Sequence, residues 1–313
     1  MRYAQFGRTG LDLSKVAVGT WAIGGAGWGG QDEEDSIQAI HAMLDAGVNF
    51  IDTAPIYGYG EAEKVIGKAL AGRDRSKLTL ATKFGVTWPD GPAGGLVQNG
   101  SKANIMREIE LSLKSLQTDH IDIYIQHWPD TDTKATAEET FGTLQDLKEQ
   151  GVIKHVGVSN STPELIAAAK EFTDVEVLQV QHSMLERSNE QLMVWAVENG
   201  LATMAWAPLA AGLLTGKYRT APTFADDDWR VLFYPFFKEP AFSAALKVVE
   251  VLDSIAAARG VPVSAVAINW SAQHPAVGSA LLGVRNAAQG EENAAALDWE
   301  LSAAEIAQID AAL

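Results

Sequence analysis

Eight short apolar runs recur along the chain, and segments of helical pattern separate most of them. The first is Val16–Thr20. The second, Val48–Ile51, ends at Asp52. Leu78–Lys83, Ile121–His127, Ile153–Val158, Val177–Gln181, Leu201–Trp206 and Val277–Leu282 complete the set. Helical segments cover 32–46, 61–70, 102–117, 136–150, 163–170, 189–199, 241–259, 264–273 and 286–296. Short apolar strands alternating with helices are the pattern of parallel βαβ units, and eight of them favour a closed barrel over an open sheet. Ahead of them, Tyr3–Phe6 and Asp12–Val16 flank the turn Gly7-Arg8-Thr9-Gly10 and read as a hairpin. No linker-like shift of composition divides the chain, and 47% hydrophobic residues suffice for a large core. The expectation is an α/β fold, a (β/α)8 TIM barrel with an N-terminal β-hairpin, as a single domain over residues 1–313.

Charge narrows the partners. Lys and Arg number 24 against 40 Asp and Glu, a formal net charge of −16 at pH 7. The long-range field repels phosphate and opposes non-specific binding to nucleic acid or anionic membranes, while leaving room for one local basic site. The absence of cysteine excludes disulfides and thiolate chemistry. The N-terminus lacks an apolar h-region, and no run approaches about 18 uninterrupted apolar residues. We expect a soluble, cytoplasmic protein. No metal-binding set is read from the sequence. The glycine-rich stretch Gly24–Gly30 contains a Gly-x-Gly-x-x-Gly match, but no acid ends an adjacent strand about 20 residues on, as a dinucleotide fingerprint requires. A flexible active-site loop is the better reading.

In a barrel of this kind the active site lies at the C-terminal ends of the strands. Asp52, Lys83 and His127 end three consecutive strands, and Tyr57 follows in the loop after the first of them. Each has an ordinary reading: a turn-capping acid, a solvated lysine, a hydrogen-bonded rim histidine, a tyrosine packed on the rim. Together they resemble the clustering by which a fold shifts pKa values for catalysis. A phenol, with a pKa of about 10, is a slow acid or base at neutral pH. A neighbouring ammonium is expected to lower that value, and an acid beside the lysine to keep it charged and oriented. A histidine on the next strand holds a substrate oxygen. The four outline a proton donor and oxyanion site for a carbonyl.

Here the chain resembles the aldo-keto reductase family, in its bacterial-type branch. The resemblance rests on Phe50-Ile51-Asp52-Thr53-Ala54-Pro55-Ile56-Tyr57-Gly58, Ala81-Thr82-Lys83, Ile123-Tyr124-Ile125-Gln126-His127-Trp128, Val156-Gly157-Val158-Ser159-Asn160 and Ala205-Trp206-Ala207-Pro208-Leu209, and runs nearly end to end. It puts Asp52, Tyr57, Lys83 and His127 on the family's catalytic tetrad. It implies a nicotinamide cofactor and hydride transfer between a small-molecule carbonyl and an alcohol. Thr20 and Trp21 then border the cofactor. Ser159, Asn160 and Gln179 hold its carboxamide, although Ser159-Asn160 also has the composition of a helix cap before Pro163. Trp206 stacks on the nicotinamide. Pro208, Leu209 and the segment from Gly212 to Lys217 wrap the pyrophosphate. Gly283, Arg285, Gln289 and Asn293 lie at the adenine end.

The departures from the family cluster near the last strand. The branch that binds a 2′-phosphate most strongly has Lys-Ser there, where this chain has Gly283-Val284. Arg285 remains, and NADP(H) is the expected cofactor, with NAD(H) as the alternative. His182 stands where a tyrosine is common, with no consequence read from it. The substrate pocket is expected to be lined by Trp21, Tyr57, Trp88, His127, Trp128 and Trp229, and the long segment 209–240 to act as a lid or clamp. Two other functions stay open at this point: a Schiff-base lyase using Lys83, and a non-catalytic, cofactor-binding regulatory subunit.

Overall fold

The structure, a computed structural model, describes residues 1–89, 91 and 95–313. Eight parallel strands close into a barrel: Val16–Gly19, Phe50–Asp52, Thr79–Phe84, Ile121–Gln126, Ile153–Ser159, Val175–Gln181, Ala202–Trp206 and Ser279–Gly283. Closure is made where the eighth strand meets the first, with Leu282 opposite Val18 and Gly283 opposite Gly19. The hairpin pairs Tyr3–Gln5 with Asp12–Ser14.

Strand side chains alternate between two environments, because the period is two residues. One set, including Val16, Val18, Ile51, Leu80, Tyr124 and Leu178, packs in the main core with residues of the surrounding helices. The other set, Ala17, Phe50, Ala81, Ile125, Val177, Met204 and Leu281, forms a separate cluster with Phe6 and Leu13 of the hairpin. The second set decides where chemistry falls. Two residues beyond Phe50, Ala81, Ile125, Val177 and Met204 come Asp52, Lys83, His127, Gln179 and Trp206. The strand period alone turns all five toward the barrel axis at its C-terminal mouth.

Several helix ends fall a residue inside the expected limits because the flanking residue caps rather than joins the helix. Asp32, Thr136 and Asn286 each accept a hydrogen bond from a first-turn backbone N–H, so the helices run Glu33–Asp45, Ala137–Glu149 and Ala287–Ala295. The helix Pro163–Ala169 is capped by Thr162, not by Ser159-Asn160, which frees those two residues for the mouth. A last helix, Ala303–Asp310, was not expected. It starts with a reciprocal capping box between Ser302 and Glu305. The segment 209–240 is not a plain loop either. It contains the 3-10 turns Ala210–Thr215 and Pro235–Phe237 and the short helix Trp229–Phe233. Leu213, Leu214, Tyr234, Phe236 and Phe237 bury into a second core cluster with the helix Ala241–Arg259, which anchors the segment at both ends. No single helix among the described residues is long and apolar enough to cross a membrane.

Candidate active site

Lys83 is fully buried, and its ammonium is the hub of the mouth. Nζ lies 3.0 and 2.9 Å from the two carboxylate oxygens of Asp52, 2.7 Å from the Thr53 carbonyl and 3.1 Å from the Tyr57 hydroxyl. An ammonium has no lone pair, so it donates in all of these contacts, and the phenol accepts. The hydroxyl proton of Tyr57 is thereby left to point elsewhere. Asp52 is fixed from further sides. Gln179 Nε2 donates to its Oδ1 at 2.9 Å, and Thr20 Oγ1 donates to its main-chain carbonyl at 2.9 Å. The His127 ring meets the Tyr57 ring edge to face, with centroids 5.9 Å apart. Asn160, at φ 52, donates from Nδ2 to the His127 carbonyl at 3.0 Å and so ties the ends of the fourth and fifth strands.

Tyr57 opens a 3-10 turn, Tyr57–Gly60, that lies against the first barrel loop. The backbones of Gly24 and Gly58 touch: a Cβ on Gly24 would lie 2.4 Å from Gly58 N, and one on Gly58 2.1 Å from Gly24 O. Gly58 also has φ 62. Glycine is needed at both positions to let the two loops meet and to hold the phenol over Lys83.

Burial governs the ionisation of the quartet. Desolvation pushes the Asp52 carboxyl up and the Lys83 ammonium down, and each partner's opposite charge restrains the other. The expected net lowering of the Tyr57 pKa is not met. Burial, followed by the charge of Asp52, pushes the phenol well above its usual value. Desolvation is the larger cause, and the carboxylate in bidentate contact with the ammonium offsets the ammonium's field at the phenol. His127 is held well below the usual histidine range by burial and then by Lys83, so its ring is neutral at pH 7. The resting site therefore presents a protonated phenol and a neutral imidazole, the forms that hydrogen-bond to a carbonyl oxygen.

Aromatic rings close the space above. Trp21 lies near-parallel to Tyr57 (6.1 Å, 26°) and also meets Trp28, Trp206, Trp229 and Phe233. The Trp229 N–H donates to the Gly27 carbonyl at 3.0 Å, which joins the long segment 209–240 to the glycine-rich loop. Beside it, Arg230 is held by Asp228 and the Tyr218 hydroxyl, 4.2 Å from the Phe224 ring. Trp88 stands one step back, against Tyr59 at 5.4 Å. Trp128 is 39% exposed and makes no ring contact among the described residues. Phe233 belongs to the aromatic loop around Trp229 and Tyr234 that was expected to line the pocket, whereas Trp28 was not among the expected residues. Only the meeting of the two loops reveals it.

The residues expected to hold a dinucleotide lie at strand ends and in the loops and helix starts that follow them. Gln179, with its amide nitrogen on Asp52, keeps its carbonyl oxygen to accept from a carboxamide N–H, and Ser159 and Asn160 lie at the next strand end. After Trp206 come buried Pro208, partly buried Leu209 and then Ala211, Gly212 and Gly216, all with positive φ (53, 91 and 76°). The glycines let the chain turn tightly here, with the Gly212 and Gly216 N–H groups donating to the Leu209 and Leu213 carbonyls at 2.9 and 3.2 Å. Lys217 lies beside them, its Nζ 4.8 Å from the Tyr218 ring centre. At the far end Arg285 donates from Nε to Gln31 Oε1 at 2.7 Å and from Nη2 to the Gly30 carbonyl, and its N–H is accepted by Gln289 Oε1 at 3.0 Å. Gly283 is exposed, and Asn293 is buried with Nδ2 3.4 Å from the Gly283 carbonyl. Amides, a lysine beside a tight glycine turn, and an arginine ahead of a helix suit a carboxamide, a pyrophosphate and a further phosphate in turn.

Comparison with known proteins fits this architecture. The model of the aldo/keto reductase family matches residues 15–313. Aldo-keto reductase YhdN of Bacillus subtilis is 38% identical over 306 residues, covering 96% of this chain and 90% of that protein. An Escherichia coli protein named NADH-specific methylglyoxal reductase is 31% identical over 323 aligned positions, covering 97% and 96%. Among solved structures, the glycerol dehydrogenase of Gluconobacter oxydans superposes with a TM-score of 0.89 at 35% identity, covering 99% of this chain and 94% of that one. The chain belongs to the aldo/keto reductase family. It is an oxidoreductase of carbonyls and alcohols, in a family that uses nicotinamide cofactors.

Proposed function

We propose that the chain, acting as one barrel domain, interconverts an aldehyde or ketone and its alcohol, with Tyr57 giving and taking the proton and NADP(H) as the preferred cofactor. The observation that carries this reading is the Lys83 ammonium between Asp52 and Tyr57, with the phenol accepting and its own proton free. The bound nicotinamide supplies or accepts the hydride. Asp52 orients Lys83, and Lys83 holds the phenol in place and stabilises phenolate when the proton has left. The neutral His127 ring donates to the substrate oxygen and fixes which carbonyl face is presented. The aromatic roof excludes water. A Lys83 that is fully buried and engaged by Asp52, Thr53 and Tyr57 is poorly suited to form a Schiff base. Steady-state turnover of a small aldehyde, followed by the absorbance of NADPH and of NADH separately, tests the function. Turnover supports it, and cofactor binding without turnover would make the chain a regulatory subunit.

Cofactor choice rests on Arg285. The Escherichia coli relative named for NADH argues for NAD(H). Arg285, just ahead of the helix Ala287–Ala295, argues for a 2′-phosphate. Its Nη1 makes no hydrogen bond among the described residues, and its contacts to Gln31 and Gly30 are neutral ones that a phosphate outcompetes. A charge-assisted contact is worth roughly 1.5–3 kcal/mol, so Arg285→Ala is expected to weaken NADPH binding about ten- to a hundredfold and leave NADH nearly unchanged. Dissociation constants for both cofactors at one salt concentration check this. Equal change in both, or none, would place 2′-phosphate recognition elsewhere.

The segment 209–240 is expected to clamp the cofactor. Its ends are already fixed by buried Leu213, Leu214 and Tyr234, so the response should concentrate in 215–219 and 224–231. Hydrogen exchange with and without cofactor measures it. Unchanged exchange in both stretches would argue against a clamp.

A further inference from the structure

His182 has no part in the hydride-transfer site, yet it is completely buried. It follows the sixth strand, and its N–H donates to the Trp206 carbonyl at 3.1 Å. Its ring stacks on Trp270 (5.4 Å, 13°) and lies 5.0 Å from the ring of His274. Nε2 is 3.2 Å from Glu190 Oε1, and Nδ1 is buried with no hydrogen-bond partner among the described residues. The tautomer decides the lone pair: with the proton on Nε2, Nδ1 is a buried lone pair that nothing fills, and with the proton on Nδ1, Nε2 offers its lone pair beside Glu190 Oε1, where an ion would take the place of that contact. His274, the C-cap of the helix Val263–Gln273, accepts at Nδ1 from the Ala276 N–H. Its Nε2 remains available. One donor atom from each of His182, Glu190 and His274 lies within 4.8 Å of the others.

We propose that His182, Glu190 and His274 bind a divalent transition-metal ion of the zinc class, at a site separate from the catalytic mouth. The ligand chemistry fits. Two imidazoles and one carboxylate are a three-ligand set typical of zinc, with a fourth position left for water. Zinc ligands stand about 2.0–2.1 Å from the ion, so from donors this close each side chain needs to move inward by roughly 1 Å or less. One competitor is present. Arg187 grips Glu190 through Nε at 2.6 Å and Nη2 at 3.0 Å. Its side chain is 42% exposed, so it can yield Oε1 to the ion while keeping Oε2 or turning to solvent. The sequence reading assigned no metal, because the ligands are spread over positions 182, 190 and 274 with no motif spacing. The ion would tie the loop after the sixth strand, the start of the helix Glu190–Glu198 and the end of the helix before the eighth strand.

The test uses the full chain without an affinity tag, stripped with a chelator and titrated with zinc in a calorimeter. The expected result is one saturable equivalent and a zinc-dependent rise in Tm. Removing a ligand is expected to weaken binding at least about tenfold. His274→Ala and Glu190→Gln are the variants of choice, because both residues are partly exposed and their loss is tolerated better than that of His182. Their Tm without zinc should stay near that of the stripped wild type, with the zinc-dependent rise gone. No saturable equivalent in the wild type, or unchanged zinc affinity in both variants, overturns the proposal.

Discussion

Tyr57→Phe is expected to lower kcat by at least about 10²-fold, the usual loss for a removed general acid, with cofactor dissociation constants near those of the wild type. The substitution takes away one oxygen and little else. Lys83 keeps both carboxylate oxygens of Asp52 and the Thr53 carbonyl, so no buried charge is stranded. The ring keeps its near-parallel contact with Trp21 and its edge contact with His127. The expected variant is therefore folded, cofactor-competent and slow. Measured kcat close to that of the wild type would remove Tyr57 from the mechanism.

Lys83→Met is expected to be costly in two separable ways. It leaves the Asp52 carboxylate, 2% exposed, with Gln179 as its remaining side-chain partner. Breaking a buried ion pair from one side costs about 3–5 kcal/mol unless the orphan takes a proton. It also removes the cation that stabilises phenolate, so kcat should fall by about 10²-fold or more, and the alkaline limb of alcohol oxidation should move up. The double variant Asp52→Asn, Lys83→Met separates the two effects. Its Tm should recover toward that of the wild type while kcat stays low. Recovery of both would make the pair purely structural, and an unmoved limb with normal kcat in Lys83→Met would show that the ammonium does not act on the phenol.

The mouth was legible in the sequence for a physical reason. A strand period of two, combined with an apolar interior, fixes which strand-end residue faces the axis. Asp52, Lys83 and His127 were read from their strand ends on this ground, whereas Gln179 and Trp206 came from the family resemblance. Trp21, Trp229 and Arg285 were expected above the mouth, but the contacts that join them there were not legible. Arg285 and Gln31 are 254 positions apart, and Trp229 reaches Gly27 across a comparable gap. No local pattern announces such contacts. The sign of the Tyr57 shift was also out of reach, because it depends on how completely the quartet is buried and on a carboxylate that offsets the lysine. The last helix is a different case. Ser302 and Glu305 spell a capping box in plain sequence, and the short run behind them was passed over. His182 was noticed as a departure, but its neighbours Glu190 and His274 come from other elements and only the fold assembles them.

The central claim is that a phenol kept protonated by burial is the proton donor and acceptor of this site. The pH dependence of kcat in both directions on the wild-type enzyme tests it most directly. Reduction needs the neutral phenol, which is fully populated below its raised pKa, so its rate should be level through neutral pH and fall only in alkali. Oxidation needs phenolate, so its rate should climb across roughly pH 7 to 10 without reaching a plateau near the pKa of about 10 of a free phenol. An oxidation rate that is level over that range, or one that titrates with a midpoint near 6.5, the range of histidine, would contradict the account.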